Sequence, residues 1–221
     1  DWGTMEKLSR EKEVVGIYIS GHPLDDFKTE MKTFCKGKIS DFNDLEAAVN
    51  KEITFGGVVT SVQHRVSKQG KGWALFTIED YTDSFEFRIF GEEYLKFRHF
   101  FVQNSFVYVR AFIKEGWTNR ETGKKGEPRI QFNSFQLLHD VMDTYAKKLS
   151  IQLHIDDLEK GKILDLQSIF RAHEGNQSLN FVIYDTAEKL KLQMPSRKQK
   201  VKVSQDLLKE LEEFDVKYKL N

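Results

Sequence analysis

The chain reads as an α+β protein: a helical N-terminal segment, a five-stranded β-barrel, and a small α+β sandwich. Three observations predict this. Apolar residues near helical spacing occupy residues 1–50. Period-two alternation takes over across 51–140. Strand and helix patterns then mix over 141–221.

In the first segment, Met5, Leu8, Val15 and Ile19 fall near helical spacing, with Gly16 a weak point. Ser20-Gly21-His22-Pro23 breaks the pattern, and Pro23 suits the first turn of a second helix running through Phe34. Asp26 and Glu30 give that helix a polar side; Phe27, Met31 and Phe34 give it an apolar one. Residues 35–40 read as a linker, and Leu45 and Val49 suggest one more short helix over Asp41–Val49.

The middle segment holds strands at Ile53–Val66, Trp73–Asp80, Ser84–Phe90, Phe106–Glu115 and Ile130–Leu138, with a helix-like piece at Glu92–Phe101. Alternation sets Ala74, Phe76 and Ile78 against Trp73, Leu75, Thr77 and Glu79. It likewise sets Phe85, Phe87 and Ile89 against Glu86, Arg88 and Phe90. Val107, Val109 and Ala111 oppose Tyr108, Arg110 and Phe112. Five strands in this order, with a helix between the third and fourth, predict an OB-fold barrel. The first and last inter-strand loops of that fold commonly grip oligonucleotides.

In the last segment, Ser150–His154 alternates as a strand. Asp156 and Asp157 sit where a helix would begin. Ile163, Leu166, Ile169 and Phe170 form a helical stripe, with Gly175 as its stop. Leu179–Asp185 and Lys189–Met194 make a hairpin, and Lys200–Val203 a brief strand. Ser204 caps a helix with Leu207, Leu208, Leu211 and Phe214 on one face, and Val216–Leu220 closes the sheet.

Composition limits the function less than pattern does. Lys+Arg and Asp+Glu are 34 each among 221 residues, so any nucleic-acid signal must be local. The single cysteine, Cys35, forbids an internal disulfide and fits a reducing, cytoplasmic setting. No apolar run approaches the roughly 20 residues that span a bilayer. The chain begins at Asp1, as a piece of a longer protein would.

Glu11-Lys12-Glu13-Val14-Val15-Gly16-Ile17-Tyr18-Ile19-Ser20-Gly21-His22-Pro23-Leu24 resembles the segment preceding the OB domain in the alpha subunit of bacterial DNA polymerase III. Gly57–Val62 resembles that family's first OB strand, and Thr77-Ile78-Glu79-Asp80 with Phe85-Glu86 and Ile89-Phe90 its second and third. Val203–Leu208 resembles the start of its last helix. The likeness covers the whole chain; the Ser-Gly-His-Pro-Leu block is its most specific part. The parent family is a DNA-directed DNA polymerase, a nucleotidyltransferase of DNA replication. The resemblance implies an OB domain that binds single-stranded template DNA and a C-terminal domain that contacts the tau subunit of the clamp loader. It also implies a sliding-clamp peptide just upstream of Asp1.

The first basic loop carries Arg65, Lys68 and Lys71, spaced by Gly70 and Gly72. Flexible cations there would track phosphates while glycines let backbone N–H groups approach; the competing reading is a solvated hairpin turn. The second loop holds Trp117, Arg120, Lys124, Lys125 and Arg129 against Glu121 and Glu127, with Arg110 and Lys114 on the strand before it. Trp117 either stacks on bases or folds back on the barrel. Trp73 and Arg88 lie on the outer face of the second and third strands, where an OB-fold holds its ligand. Arg88 alternatively pairs with Glu86 or Glu79. The C-terminal basic run Lys189, Lys191, Arg197, Lys198, Lys200 and Lys202 either touches DNA or an acidic partner or, the favoured reading, is a solvated strand face. Leu166-Gln167-Ser168-Ile169-Phe170, similar to a clamp-binding string, reads as helix core.

The six histidines are scattered without i,i+4 pairs, and neither a phosphate loop nor an Asp-x-Asp pair is found. The expectation is therefore a piece with no catalytic site, cofactor or metal. Two other readings stay open: a pure protein-interaction or spacer module of the replisome, and a tRNA anticodon-binding OB domain. The short segment that follows the barrel argues against the second.

Overall fold

The computed structural model describes residues 4–15, 18–118 and 123–220. The chain divides into two compact units, 1–139 and 140–221.

The first unit opens with α1 (Thr4–Val15), a 3-10 turn (Pro23–Phe27), α2 (Lys28–Phe34) and a second 3-10 turn (Ile39–Asn43). The strands β1 (Glu52–Val66), β2 (Gly72–Glu79) and β3 (Ser84–Phe90) follow, then α3 (Gly91–Phe97), β4 (Phe106–Lys114) and β5 (Arg129–Leu137); α4 (Leu138–Tyr145) begins here and runs on into the second unit. The five strands form one antiparallel sheet in the order β3-β2-β1-β4-β5, the expected OB arrangement.

β1 serves two partners. Its first half pairs with β4, from Glu52 opposite Phe112 to Val58 opposite Phe106; its second half pairs with β2, out to Val66 opposite Gly72. A bulge between Val59 and Ser61 supplies the added twist. The crossing is tight: a Cβ on Gly57 would sit 2.6 Å from the Glu79 carbonyl oxygen. Ala74, Phe76 and Ile78 are fully buried, as the alternation predicts, with Val107, Val109 and Ala111 facing them. The sheet curls until Phe87 of β3 meets Phe132 of β5 at 5.8 Å, and Phe76 stacks on Phe101 at 4.3 Å.

Several N-terminal expectations are corrected. Val15 and Ile19 are exposed, because α1 ends at Val15. Gly16 and the Met5 side chain lie outside the described residues. The second helix starts as a 3-10 turn. At three residues per turn instead of 3.6, the register rotates, and Glu30, read as polar-side, turns inward to 2 % exposure. Asp41–Val49 is not an α-helix. The 3-10 turn over Ile39–Asn43 eclipses i and i+3, seating Ile39 and Phe42 together in the barrel core. Phe42 meets Phe55 at 4.8 Å and Phe87 at 5.0 Å, so residues 39–48 plug the barrel.

The second unit contains β6 (Lys148–His154), α5 (Lys160–Ala172), β7 (Glu174–Asp185), β8 (Leu190–Val201), α6 (Gln205–Glu213) and β9 (Lys217–Leu220). Its sheet runs β8-β7-β6-β9. β6 and β7 are parallel and joined through α5, a βαβ unit; β8 pairs antiparallel with β7, and β9 with β6. Leu166, Ile169 and Phe170 are buried, with Phe170 edge-on to Phe181 at 5.9 Å, so the clamp-like string is helix core. The Ser204 hydroxyl accepts from the Leu207 N–H at 3.3 Å and caps α6, whose Leu207, Leu208 and Leu211 are buried.

Here too details differ. α5 begins at Lys160, since Ile155–Asp157 is spent in a 3-10 turn, and Ile163 and Phe214 are half-exposed. Gly175 does not stop the helix. It lies in β7, where a Cβ would collide with the Lys202 backbone. Of the expected strand at Lys200–Val203, Lys200 and Val201 are the tail of β8, and Lys202 and Val203 lie beyond it.

Candidate nucleic-acid interface

The register of β1, β2 and β3 builds rows across the outer face. Arg65 lies opposite Trp73, and Trp73 opposite Phe90. The next row is Gln63, Leu75 and Arg88; the one after is Ser61, Thr77 and Glu86. In the first row the Arg65 guanidinium carbon lies 5.6 Å from the Trp73 ring centroid, while its Nη2 donates to Gln63 Oε1 at 2.6 Å. The Trp73 ring stacks on Phe90 at 5.3 Å, with 19° between the planes. Arg88 approaches Glu86 at 3.8 Å; both are largely exposed, so the pair is weak.

The first basic loop is a closed turn, not the flexible phosphate cradle that its glycines suggest. The Ser67 N–H donates to Lys71 O and the Gly70 N–H to Ser67 O, both at 2.9 Å; the Lys71 N–H donates to Ser67 Oγ at 3.2 Å. Gly70 takes φ +76°, which the turn requires. Those backbone donors are therefore used internally. What the turn offers outward is charge, from exposed Lys68 and Lys71.

The second loop continues the β4–β5 ladder beyond Lys114 opposite Arg129. Thr118 bridges to Lys125, and the Gly126 N–H donates to Trp117 O at 2.8 Å. This leaves the Trp117 side chain 62 % exposed, not folded back on the barrel. Lys114, Lys124 and Arg129 are exposed, and Lys125 approaches Glu115 at 3.8 Å. Arg120 and Glu121 lie outside the described residues. Arg110 is committed elsewhere: its Nη2 donates to Glu52 Oε1 at 2.9 Å. That bond holds the Glu52 carboxyl below its ordinary pKa.

The two loops open from opposite ends of β1. The predicted residues thus form two groups: Arg65, Lys68, Lys71, Trp73 and Arg88 at one end, and Arg110, Lys114, Trp117, Lys124, Lys125 and Arg129 at the other. Phe90 was missed. Its signal was present, since alternation places it outward beside Arg88, but a phenylalanine reads as core.

The Ser-Gly-His-Pro block docks the N-terminal segment onto the β2–β3 turn. Lys12 pairs with Glu79 and lies 4.9 Å over the Tyr18 ring. Tyr18 meets His22 edge-on at 5.2 Å, and His22 packs on Tyr81 at 4.4 Å. The His22 N–H donates to Asp25 Oδ2 at 2.8 Å, its Nδ1 accepts from the Leu24 N–H at 3.1 Å, and Tyr81 donates to Asp25 at 3.3 Å. Burial pushes the Tyr18 hydroxyl up to about 12, with Glu79 adding to it; burial also lowers His22. A cavity of about 370 Å³ bounded by Lys12, Tyr18, Thr77, Glu79 and Ser84 marks where this segment covers the lower end of the outer face.

In the second unit an apolar cavity of about 390 Å³ lies among Leu153, Leu166, Phe170, Phe181, Ile183 and Met194. Exposed Leu190, Leu192 and Met194 continue it along the edge strand β8. The basic run on and around β8 is exposed, as a solvated face. Among the described residues, no three His, Cys, Asp or Glu are grouped to hold a metal ion, and no helix is long and apolar enough to cross a membrane.

These features define a class: an OB-fold module followed by a small α+β unit. Residues 53–138 match the family described as OB-fold nucleic acid binding domain. Residues 149–221 match the family described as DNA polymerase III alpha subunit, C-terminal domain. The DNA polymerase III subunit alpha of Buchnera aphidicola subsp. Acyrthosiphon pisum is 24% identical over 211 residues, 93% of this chain and 17% of that protein. That of Saccharopolyspora erythraea is 29% identical over 116 residues, 52% of this chain and 10% of its own. Among solved structures, a putative aspartyl-tRNA synthetase from Leishmania major Friedlin is 16% identical, covering 47% of this chain and 21% of its own, with a TM-score of 0.30. Both units are thus similar to the DNA polymerase III alpha subunit, the second through a match to its C-terminal-domain family. The chain spans between 10% and 17% of the length of these curated relatives.

Proposed function

We propose that this chain is the non-catalytic C-terminal part of a replicative polymerase alpha subunit, whose OB fold binds single-stranded template DNA. The observation that carries this reading is the outer-face row Arg65–Trp73–Phe90, with Lys68 and Lys71 in the adjoining turn. Aromatic rings beside exposed cations supply the two things that sequence-tolerant single-strand binding needs, stacking and phosphate contact. The test is anisotropy of labelled oligo-dT titrated with salt. The combined Arg65, Lys68 and Lys71 to Ala variant should bind more weakly and with a shallower salt slope, by about 0.7 for each phosphate it no longer neutralises. Wild-type protein that shows no salt-dependent binding at low salt would sink the reading.

The second unit has its own role in this reading, docking the clamp-loader tau subunit. The apolar cavity and the exposed Leu190, Leu192 and Met194 favour it, because monomeric surfaces seldom leave such a strip uncovered. Leu192→Asp in the full chain should abolish capture of tau while oligo-dT binding persists. Tau capture by a wild-type chain that does not bind oligo-dT would favour a pure interaction module instead.

A further inference from the structure

Both flanks of the Trp73 ring are occupied. Arg65 reaches it from β1 at 5.6 Å and Phe90 stacks on it from β3 at 5.3 Å. Because β2 runs between β1 and β3, these neighbours press on the indole from opposite sides. A base cannot stack on a ring whose two faces are covered. Phe90 differs: β3 is the edge strand of the sheet, and the Phe90 side chain is 57 % exposed. The free end of the Arg65–Trp73–Phe90 stack is therefore the outer face of Phe90. Tyr81, also exposed, is taken up by His22 and Asp25.

Charge brackets this face. Lys68 and Lys71 lie in the turn beyond the row, and Arg88 stands two residues before Phe90 on the same side of β3. Acidic groups temper it: Glu86 approaches Arg88, exposed Glu92 follows Phe90, and Glu93 accepts from the Phe132 N–H at 3.4 Å. With attraction so moderated, stacking must supply a large share of any affinity.

We infer that Phe90, not Trp73, is the base-stacking platform: one nucleobase extends the stack on its open face, and Trp73 is a positioning residue that holds the phenyl ring. This rests on the single-strand reading above. The test measures the full chain with labelled oligo-dT and with an abasic strand of equal length. Phe90→Leu should weaken oligo-dT binding about 5- to 150-fold, the effect of one stacked base, and leave abasic binding and the salt slope unchanged. Phe90→Tyr should retain most of the affinity, and Trp73→Phe should lose less than Phe90→Leu. If Phe90→Leu binds oligo-dT like wild type while Lys68→Ala/Lys71→Ala does not, the inference fails and the single-strand reading stands. Equal loss on both strands would also overturn it, by showing a merely structural role. Wild-type protein that binds neither strand would overturn the reading itself.

Discussion

The Asp80 carboxylate accepts a hydrogen bond from the backbone N–H of Ile39 at 2.9 Å, joining residues 41 apart in the chain. Its other oxygen accepts from the N–H and hydroxyl of Thr82, at 2.7 and 2.6 Å, and from the Asp83 N–H at 3.2 Å. One buried side chain thus shapes the β2–β3 turn and anchors the plug that carries Ile39 and Phe42 into the core. Asp80→Ala leaves the Ile39 N–H without its acceptor in a buried place and should cost about 2–3 kcal/mol. Urea unfolding at neutral pH checks this; an unchanged midpoint would remove Asp80 from the anchor.

His22 makes the docking of the N-terminal segment sensitive to acid. Burial holds its pKa below the ordinary 6.5, and its unprotonated Nδ1 caps the turn at Leu24. A base with a depressed folded pKa stabilises fully above its unfolded value. That contribution is lost as pH falls through the folded value, because the unfolded chain takes the proton first. The melting temperature of the wild type should therefore drop between pH 7.5 and pH 5 by more than that of His22→Asn, which caps without titrating. Parallel curves for the two proteins would assign the acid sensitivity elsewhere.

Gly57 tests the crossing of β1 over β2. A methyl there meets the Ile78 side chain and the Glu79 carbonyl oxygen together, and the backbone atom cannot step aside without breaking the ladder. Gly57→Ala should destabilise by about 1–3 kcal/mol, as overpacking does. Gly70→Ala is the contrasting case, with strain from φ +76° but open space around the new methyl. A thermal melt that ranks Gly57→Ala as the milder change would contradict the close approach.

The barrel was legible because its inner positions repeat at period two: Ala74, Phe76 and Ile78 need no tertiary information to be placed inward. Ser204 was legible as a cap because the hydroxyl and the leucines after it act locally. What hid were features that depend on a distant partner. Ile39 and Phe42 enter the core through a 3-10 turn whose Ile39 N–H is held by the distant Asp80, so spacing alone read Ile39 as linker and Phe42 as part of an α-helix. Gly175 resembled a helix stop, but its reason is the Lys202 backbone. At the candidate site the cations were visible as residue types, whereas the pairing of Arg110 with Glu52 and the stack of Phe90 on Trp73 are set by register across strands.

Cys35 reports whether α2 stays seated on β1. Burial pushes its thiol from 9.0 up to about 12, and the charges of Asp80 and Glu30 add to that. Its neighbours include Met31, whose sulfur lies 3.8 Å away. Only the thiolate attacks a disulfide reagent, so a shift of this size lowers the reactive fraction at pH 8 about 1,000-fold. Reaction with an aromatic disulfide should be slow in buffer and fast in urea. A raised thiol pKa also ties stability to alkaline pH: the contribution is whole below about 9 and is lost as pH rises toward about 12, because the unfolded chain releases its proton first. Cys35→Ser places a hydroxyl that does not titrate in this range at the same position, so its stability should fall less between pH 8 and pH 10 than that of the wild type. Rapid labelling of the native protein at pH 8, at a rate close to that in urea, would mean that α2 leaves the barrel freely, and the buried surroundings of Cys35 would then not be what holds the N-terminal segment in place.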